Sequence, residues 1–176
     1  MFRGPGQEDG DHAVIEVWLE FGEPAPTDQA LDLVMGALLG IIRALVGDGC
    51  VVGNSVELKN CILFDGVQVP HYNSVGDSVL GFKAHMGAGS ITSNVKSDKT
   101  LVTVRCGEER IATGRKKLGA MLGDHAEIGC GSVLNPGAVI GRGSSVYPLS
   151  AVRGTVPAGS IYKAQGEVCL RDPAHG

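Results

Sequence analysis

His71 is the side chain of this sequence best suited to move a proton. It stands in VPHYNS, between Val69 and Asn73. In the register argued below both of those neighbours point inward, so the imidazole faces out. An exposed histidine titrates near neutrality and can take a proton from an amine or a hydroxyl. A surface or corner histidine without a chemical task is the plainer reading of the spacing alone. Arg115, Lys116 and Lys117 form a basic cluster, suited to an anion or equally to a solvated turn. The five cysteines are Cys50, Cys61, Cys106, Cys130 and Cys169. They match no CxxC metal or redox pattern, and the odd count argues against a disulfide framework. A reducing cytoplasm is the simplest compartment for them.

The elements that position these residues are set by a six-residue repeat. Leu122, Ile128, Leu134, Ile140, Val146 and Val152 follow one another six apart, and a second small or apolar residue (Ala126, Ser132, Ala138, Ser144, Ser150, Val156) follows each by four. A helix has no such period and a plain strand alternates by two. Hexapeptide repeats specify a parallel β-helix, in which each coil buries its apolar face against the next. The repeat starts near Val46 and runs less regularly, with five-residue steps before Leu63 and Leu80. Its second inward position is read there as Cys50, Val56, Ile62, Val67, Asn73, Val79, Ala84 and Ser90. Three sixes make a turn, so the repeat predicts roughly five turns stacked at about 4.8 Å. The expected fold is all-β, a single-stranded left-handed parallel β-helix, the handedness following from the fold class.

The repeat breaks between about 95 and 118. LVTVRCGEERIATG alternates around Gly107-Glu108-Glu109 and predicts a β-hairpin insert from Leu101 to Thr113. Three segments result: a non-repeat N-terminal segment 1–45, the β-helix 46–163, and a tail 164–176. His12–Phe21 alternates weakly as one strand. Thr27 or Asp28 could cap a helix running to about Leu45 over the open end of the coil. The apolar run Leu31–Val46 carries Asp32 and Arg43 and is too short for a membrane span. No signal peptide is expected from the polar start. The 27 glycines and 5% aromatic residues suit a narrow coil with tight corners. A net charge of −4 gives no nucleic-acid footprint.

The run VVGNSVELKNCILFDGVQVPHYNSVGDSVLGFKAHMGAGSITSN resembles the C-terminal β-helix of bacterial bifunctional N-acetylglucosamine-1-phosphate uridylyltransferase/glucosamine-1-phosphate N-acetyltransferases. The matching features are VGNxVExK, a histidine twelve residues beyond that lysine, VGD, and GAGxITxN. The later stretch ATGRKKLGAMLGDHAEIGCGSVLNPGAVIGRGSSVYP resembles sugar-phosphate nucleotidyltransferase-like β-helix proteins. The resemblance implies an acetyl-CoA-dependent acyltransferase for an amino-sugar phosphate or sugar nucleotide, with His71 as general base. It places Lys59, His85 and Asn94 at the sugar phosphate, and Ala88 and Cys130 beside the acyl donor. Lys116 and Lys117, with Arg115, would meet the phosphates of acetyl-CoA. A homotrimer is implied as well, with no metal, nucleic acid or membrane as partner.

The chain also departs from that family. Ser74 replaces a tyrosine three residues beyond the histidine, His85 an asparagine, and Val95 a tyrosine beside Asn94. The hairpin is foreign to it, and no Gly-rich nucleotide loop is present, so uridylyl transfer is not expected. Ordinary roles remain open on sequence alone: a solvated lysine for Lys59, a turn residue for Asn94, a plain coil residue for Cys130. The competing function is a non-catalytic assembly or regulatory coil beside a sugar-1-phosphate nucleotidyltransferase. A zinc hydratase of the γ-carbonic anhydrase type uses the same coil but needs two histidines five apart. His71, His85 and His125 lack that pair.

Overall fold

A computed structural model describes residues 41–163 and 168–170. The described chain is all-β and winds into a three-sided parallel coil. One face stacks β2 (Val51–Asn54), β4 (Gln68–His71), β7 (His85–Met86), β12 (Glu127–Ile128), β15 (Ser145–Val146) and β18 (Ser160–Tyr162), all in parallel. The second stacks the start of β3 (Glu57–Leu63) with β5 (Ser74–Gly76), β8 (Ile91–Thr92), β13 (Val133–Leu134) and β16 (Ala151–Val152). The third stacks the end of β3 with β6 (Val79–Leu80), β11 (Met121–Leu122), β14 (Val139–Ile140) and β17 (Thr155–Val156).

The six-residue register explains the core. Leu122, Ile128, Leu134, Ile140, Val146 and Val152 are all buried, and so are Ala126, Ser132, Ala138, Ser144, Ser150 and Val156. The first set fills the coil. The second, apart from Val156 within β17, sits just before each strand, where small side chains fill the corner. Their hydroxyls cap backbone carbonyls of the corners: Ser132 Oγ donates to Tyr147 O at 3.0 Å and Ser144 Oγ to Pro157 O at 2.6 Å.

Two inward assignments are corrected. Ile62 is 39% exposed and Val79 is half-buried, while Cys61 and Ser78 take the interior. The five-residue step removes one residue from this corner. Asn60 and Asp77 turn the chain alone, at φ of 51° and 48°. Asn and Asp tolerate this left-handed conformation. The inward side chain therefore moves one position earlier.

Both ends of the coil extend beyond the expected repeat. β1 (Ile41–Val46) lies parallel to β3, pairing Ile41 with Leu58 and Val46 with Leu63. Residues 41–45 are therefore strand, and the expected helix does not reach Leu45. The rest of that helix and the strand at His12–Phe21 lie outside the described residues. At the other end β18 still stacks on β15, and β19 (Val168–Leu170) pairs antiparallel with it. The insert forms the expected hairpin from β9 (Thr103–Cys106) and β10 (Glu109–Ala112), turning at Gly107 with φ 59°. No helix among the described residues is long and apolar enough to cross a membrane.

Candidate active site

Backbone hydrogen bonds between turns define the corner that carries His71. Tyr72 N donates to Asn54 O at 3.1 Å, Gly89 N to His71 O at 3.0 Å, Gly131 N to Ala88 O at 2.8 Å, and Leu149 N to Cys130 O at 2.9 Å. Asn54, His71, Ala88 and Cys130 thus form one column, each a turn beyond the last. Strand spacing sets adjacent members about 4.8 Å apart along the coil.

Asn73 holds this column from inside. Its side chain is buried. The amide donates to Gly87 O at 2.8 Å and to Ser90 O and Oγ at 3.1 Å, while Oδ1 accepts from His71 N at 3.1 Å. The backbone of His71 is thereby tied to the next turn, and Tyr72 is carried into the left-handed region at φ 52°. The imidazole itself lies in the open: His71 is exposed, and no carboxylate or carbonyl among the described residues holds its ring.

The row around Ala88 has no bulky wall. Gly87 cannot accept a side chain, because its Cβ would stand 2.7 Å from Cys130 N. Gly89, at φ 69°, faces open space. Ala88 is half-buried and Cys130 exposed. His85, on the adjoining face, is held by Glu127, with Nδ1 2.8 Å from Oε2. It is therefore tied into a pair rather than free.

Lys59 and Asn94 lie at the next corner, across the second face. Lys59 O accepts from Asp77 N at 2.9 Å. Asp77 bridges its neighbours in the column: Asn60 Nδ2 donates to Oδ1 at 3.2 Å and Asn94 Nδ2 to Oδ2 at 2.5 Å. The insert leaves and re-enters here, with Leu118 N donating to Asn94 O at 3.0 Å. Lys116 and Lys117 are exposed on the irregular stretch that returns from β10 to the coil. One chain therefore brings together His71, Ala88 and Cys130, with His85 alongside. It brings Lys59, Asn94 and the lysines together at a different corner.

Sequence reasoning passed over Asp77 and Glu127. The signal for Asp77 was the seventeen-residue spacing from Asn60 and onward to Asn94, one shortened turn in each direction. Glu127 is separated from its partner His85 by the insert, so no local pattern reveals it. No three His, Cys, Asp or Glu side chains group into a metal site among the described residues.

No family model matches the chain. It is 37% identical over 112 residues to a bifunctional sugar-1-phosphate nucleotidylyltransferase/acetyltransferase of Sulfurisphaera tokodaii, covering 64% of this chain and 28% of that protein. It is 32% identical over 131 residues to the bifunctional protein GlmU of a Synechococcus strain, covering 74% of this chain and 25% of that one. The chain thus spans about a quarter of the length of these relatives. Among solved structures it is similar to PerB from Caulobacter crescentus in complex with CoA and GDP-perosamine. That likeness has a TM-score of 0.58 at 18% identity, covering 73% of this chain and 53% of that one. It is also similar to the acetyltransferase domain of PglB from Neisseria gonorrhoeae in complex with acetyl coenzyme A. There the TM-score is 0.53 at 20% identity, covering 68% and 48%. The chain is a left-handed parallel β-helix, similar in sequence to bifunctional sugar-1-phosphate nucleotidylyltransferase/acetyltransferases and in fold to hexapeptide acetyltransferase domains.

Proposed function

We propose that this chain is an acetyl-CoA-dependent acyltransferase acting on an amino-sugar phosphate or a sugar nucleotide, with His71 as general base. The supporting observation is the single column of His71, Ala88 and Cys130. It aligns the proton acceptor with the two positions that the resemblance gives to the acyl donor. Acetyl-CoA supplies a thioester. His71 takes the proton of the acceptor amine, and Gly87, Ala88 and Gly89 leave the backbone open to the donor. Geometry of this kind lowers a barrier by orientation before any electrostatic gain.

The two corners support a homotrimer. Lys59, Asn94 and the lysines are at one corner and His71 at another. Adjacent copies set side by side would bring one chain's second corner to its neighbour's first. The third face offers a surface for such packing. Leu45, Ile62, Val79, Met121 and Val139 form an outward apolar row across successive strands, with Leu45 63% exposed. The cytoplasm is the compartment we assign, on the free cysteines among the described residues.

Consumption of acetyl-CoA with a panel of amino-sugar phosphates and nucleotide amino sugars tests this reading. Turnover by the wild type that falls by about 100-fold or more in His71→Ala supports it. Absence of both turnover and CoA binding sinks it. The unoriented ring of His71 and the engagement of His85 by Glu127 favour the second reading, a non-catalytic coil beside a nucleotidyltransferase. That reading predicts no turnover and a specific association with such an enzyme.

A further inference from the structure

The hairpin does more than leave the coil. Between its inner side, the loop at 95–98 and the second corner of the later turns lies a cavity of about 550 Å³. Arg105, Arg110 and Arg153 line it together with Lys96 and Asn135. Asp98, the acid in its wall, is occupied: Thr100 N donates to its Oδ1 at 3.0 Å and Lys96 Nζ lies 3.5 Å from its Oδ2. None of the three guanidinium groups has an ion-pair partner among the described residues.

Their placement is unfavourable in an empty cavity. Arg105 and Arg110 are directly opposite one another in the β9–β10 register. Like charges so placed destabilise a two-stranded sheet. Arg153 adds a third from the coil. The walls are also fixed. Val102 and Val104 are buried beneath the hairpin. Thr155 Oγ1 donates to Arg105 O. Val102 N donates to Arg115 O at 2.8 Å. The backbone that carries these exposed guanidinium groups is thus held, and all three line one space.

We infer that this cavity is a binding site for a ligand carrying two adjacent phosphate groups. A guanidinium presents a planar fork that matches phosphate oxygens in pairs. A single carboxylate would leave two of the three groups uncompensated, whereas a diphosphate offers oxygens to all three. Among the described residues no aromatic side chain lines the cavity, so the recognition argued from them is of the diphosphate and not of a stacked base. The volume falls within the range of small-molecule sites, about 300–1,000 Å³. Site and ligand class stand independently of acetyl transfer at His71, which is on another corner.

The test is calorimetric titration of the full chain with inorganic pyrophosphate, followed by competition with a nucleotide diphosphate sugar and with coenzyme A. Wild type binds pyrophosphate, less tightly as salt is raised. Arg110→Gln and Arg153→Gln each weaken binding about tenfold or more. Arg105→Gln/Arg110→Gln abolishes it. That double variant keeps or raises its melting temperature, because an opposed like-charge pair is removed. His71→Ala binds pyrophosphate as wild type does, even where acetyl transfer is lost. The competitor that displaces pyrophosphate identifies which molecule brings the diphosphate. Absence of pyrophosphate binding overturns the inference. So does undiminished binding in the double variant, or equal displacement by sulfate at matched ionic strength.

Discussion

Single side chains inside this coil carry more of its precision than the repeat suggests. Asn73 spans two turns and fixes the backbone of His71. Asn73→Ala would take the donor from Ser90 O and the acceptor from His71 N, while Gly87 O keeps Ser90 N and Oγ, and should lower stability by about 1–3 kcal/mol, read from the shift in urea midpoint. Ser150 presents the opposite case. Its hydroxyl is buried with no partner among the described residues. Ser150→Ala should be neutral or stabilising by up to about 1 kcal/mol in the same assay. Burial pushes the Cys61 thiol up to about 11 from the ordinary 9.0. Between those values the folded chain holds a proton that the unfolded chain has lost. Stability conferred by the thiol is therefore complete below about pH 9 and lost as pH rises toward 11. Thermal melts should show a shallower alkaline loss in Cys61→Val, and Cys61 should resist alkylation at neutral pH while exposed Cys106 and Cys130 react.

The element that departs from the repeat is anchored by the repeat. The hairpin rests on the second corner, where Gly137 adopts φ 78°. A Cβ there would lie 3.0 Å from Val102 Cγ1 and 3.1 Å from Thr103 O. Gly137→Ala therefore combines a left-handed strain with a clash beneath β9. It should cost about 1–3 kcal/mol and open the hairpin to limited proteolysis near Gly107, while the coil itself stays protected. The hairpin was legible from its alternation and central glycine. Its docking was not, because Val102 and Gly137 are far apart in sequence and meet only when the coil closes.

At the scale of the molecule, the proposed trimer places a demand on the third face. Met121 and Val139 are paired in register at one end of its apolar row. A Met121→Lys/Val139→Lys variant should be monomeric by light scattering where the wild type is trimeric, with unchanged far-ultraviolet spectra. It should also lose acetyl transfer, since Lys59 and Asn94 would no longer approach a neighbour's His71. A wild type that is itself monomeric would sink this assembly.

The sequence determined the coil, its core and its break. A six-residue period fixes which side chains can share the interior, and that constraint is local: each turn repeats the same short path. It also singled out His71, because the register alone sets whether a residue faces in or out. Tertiary structure decided what lies beside what. The five-residue corners turned Ile62 and Val79 outward and put Cys61 and Ser78 inside, since one left-handed residue did the work of two. It separated His71 from Lys59 and Asn94 by a whole face. It also gathered Arg105 and Arg110 of the hairpin with Arg153, remote from them in the chain, around one cavity. Stacking sets those neighbours, and the turn at which an insert leaves the coil decides which distant residues it will meet.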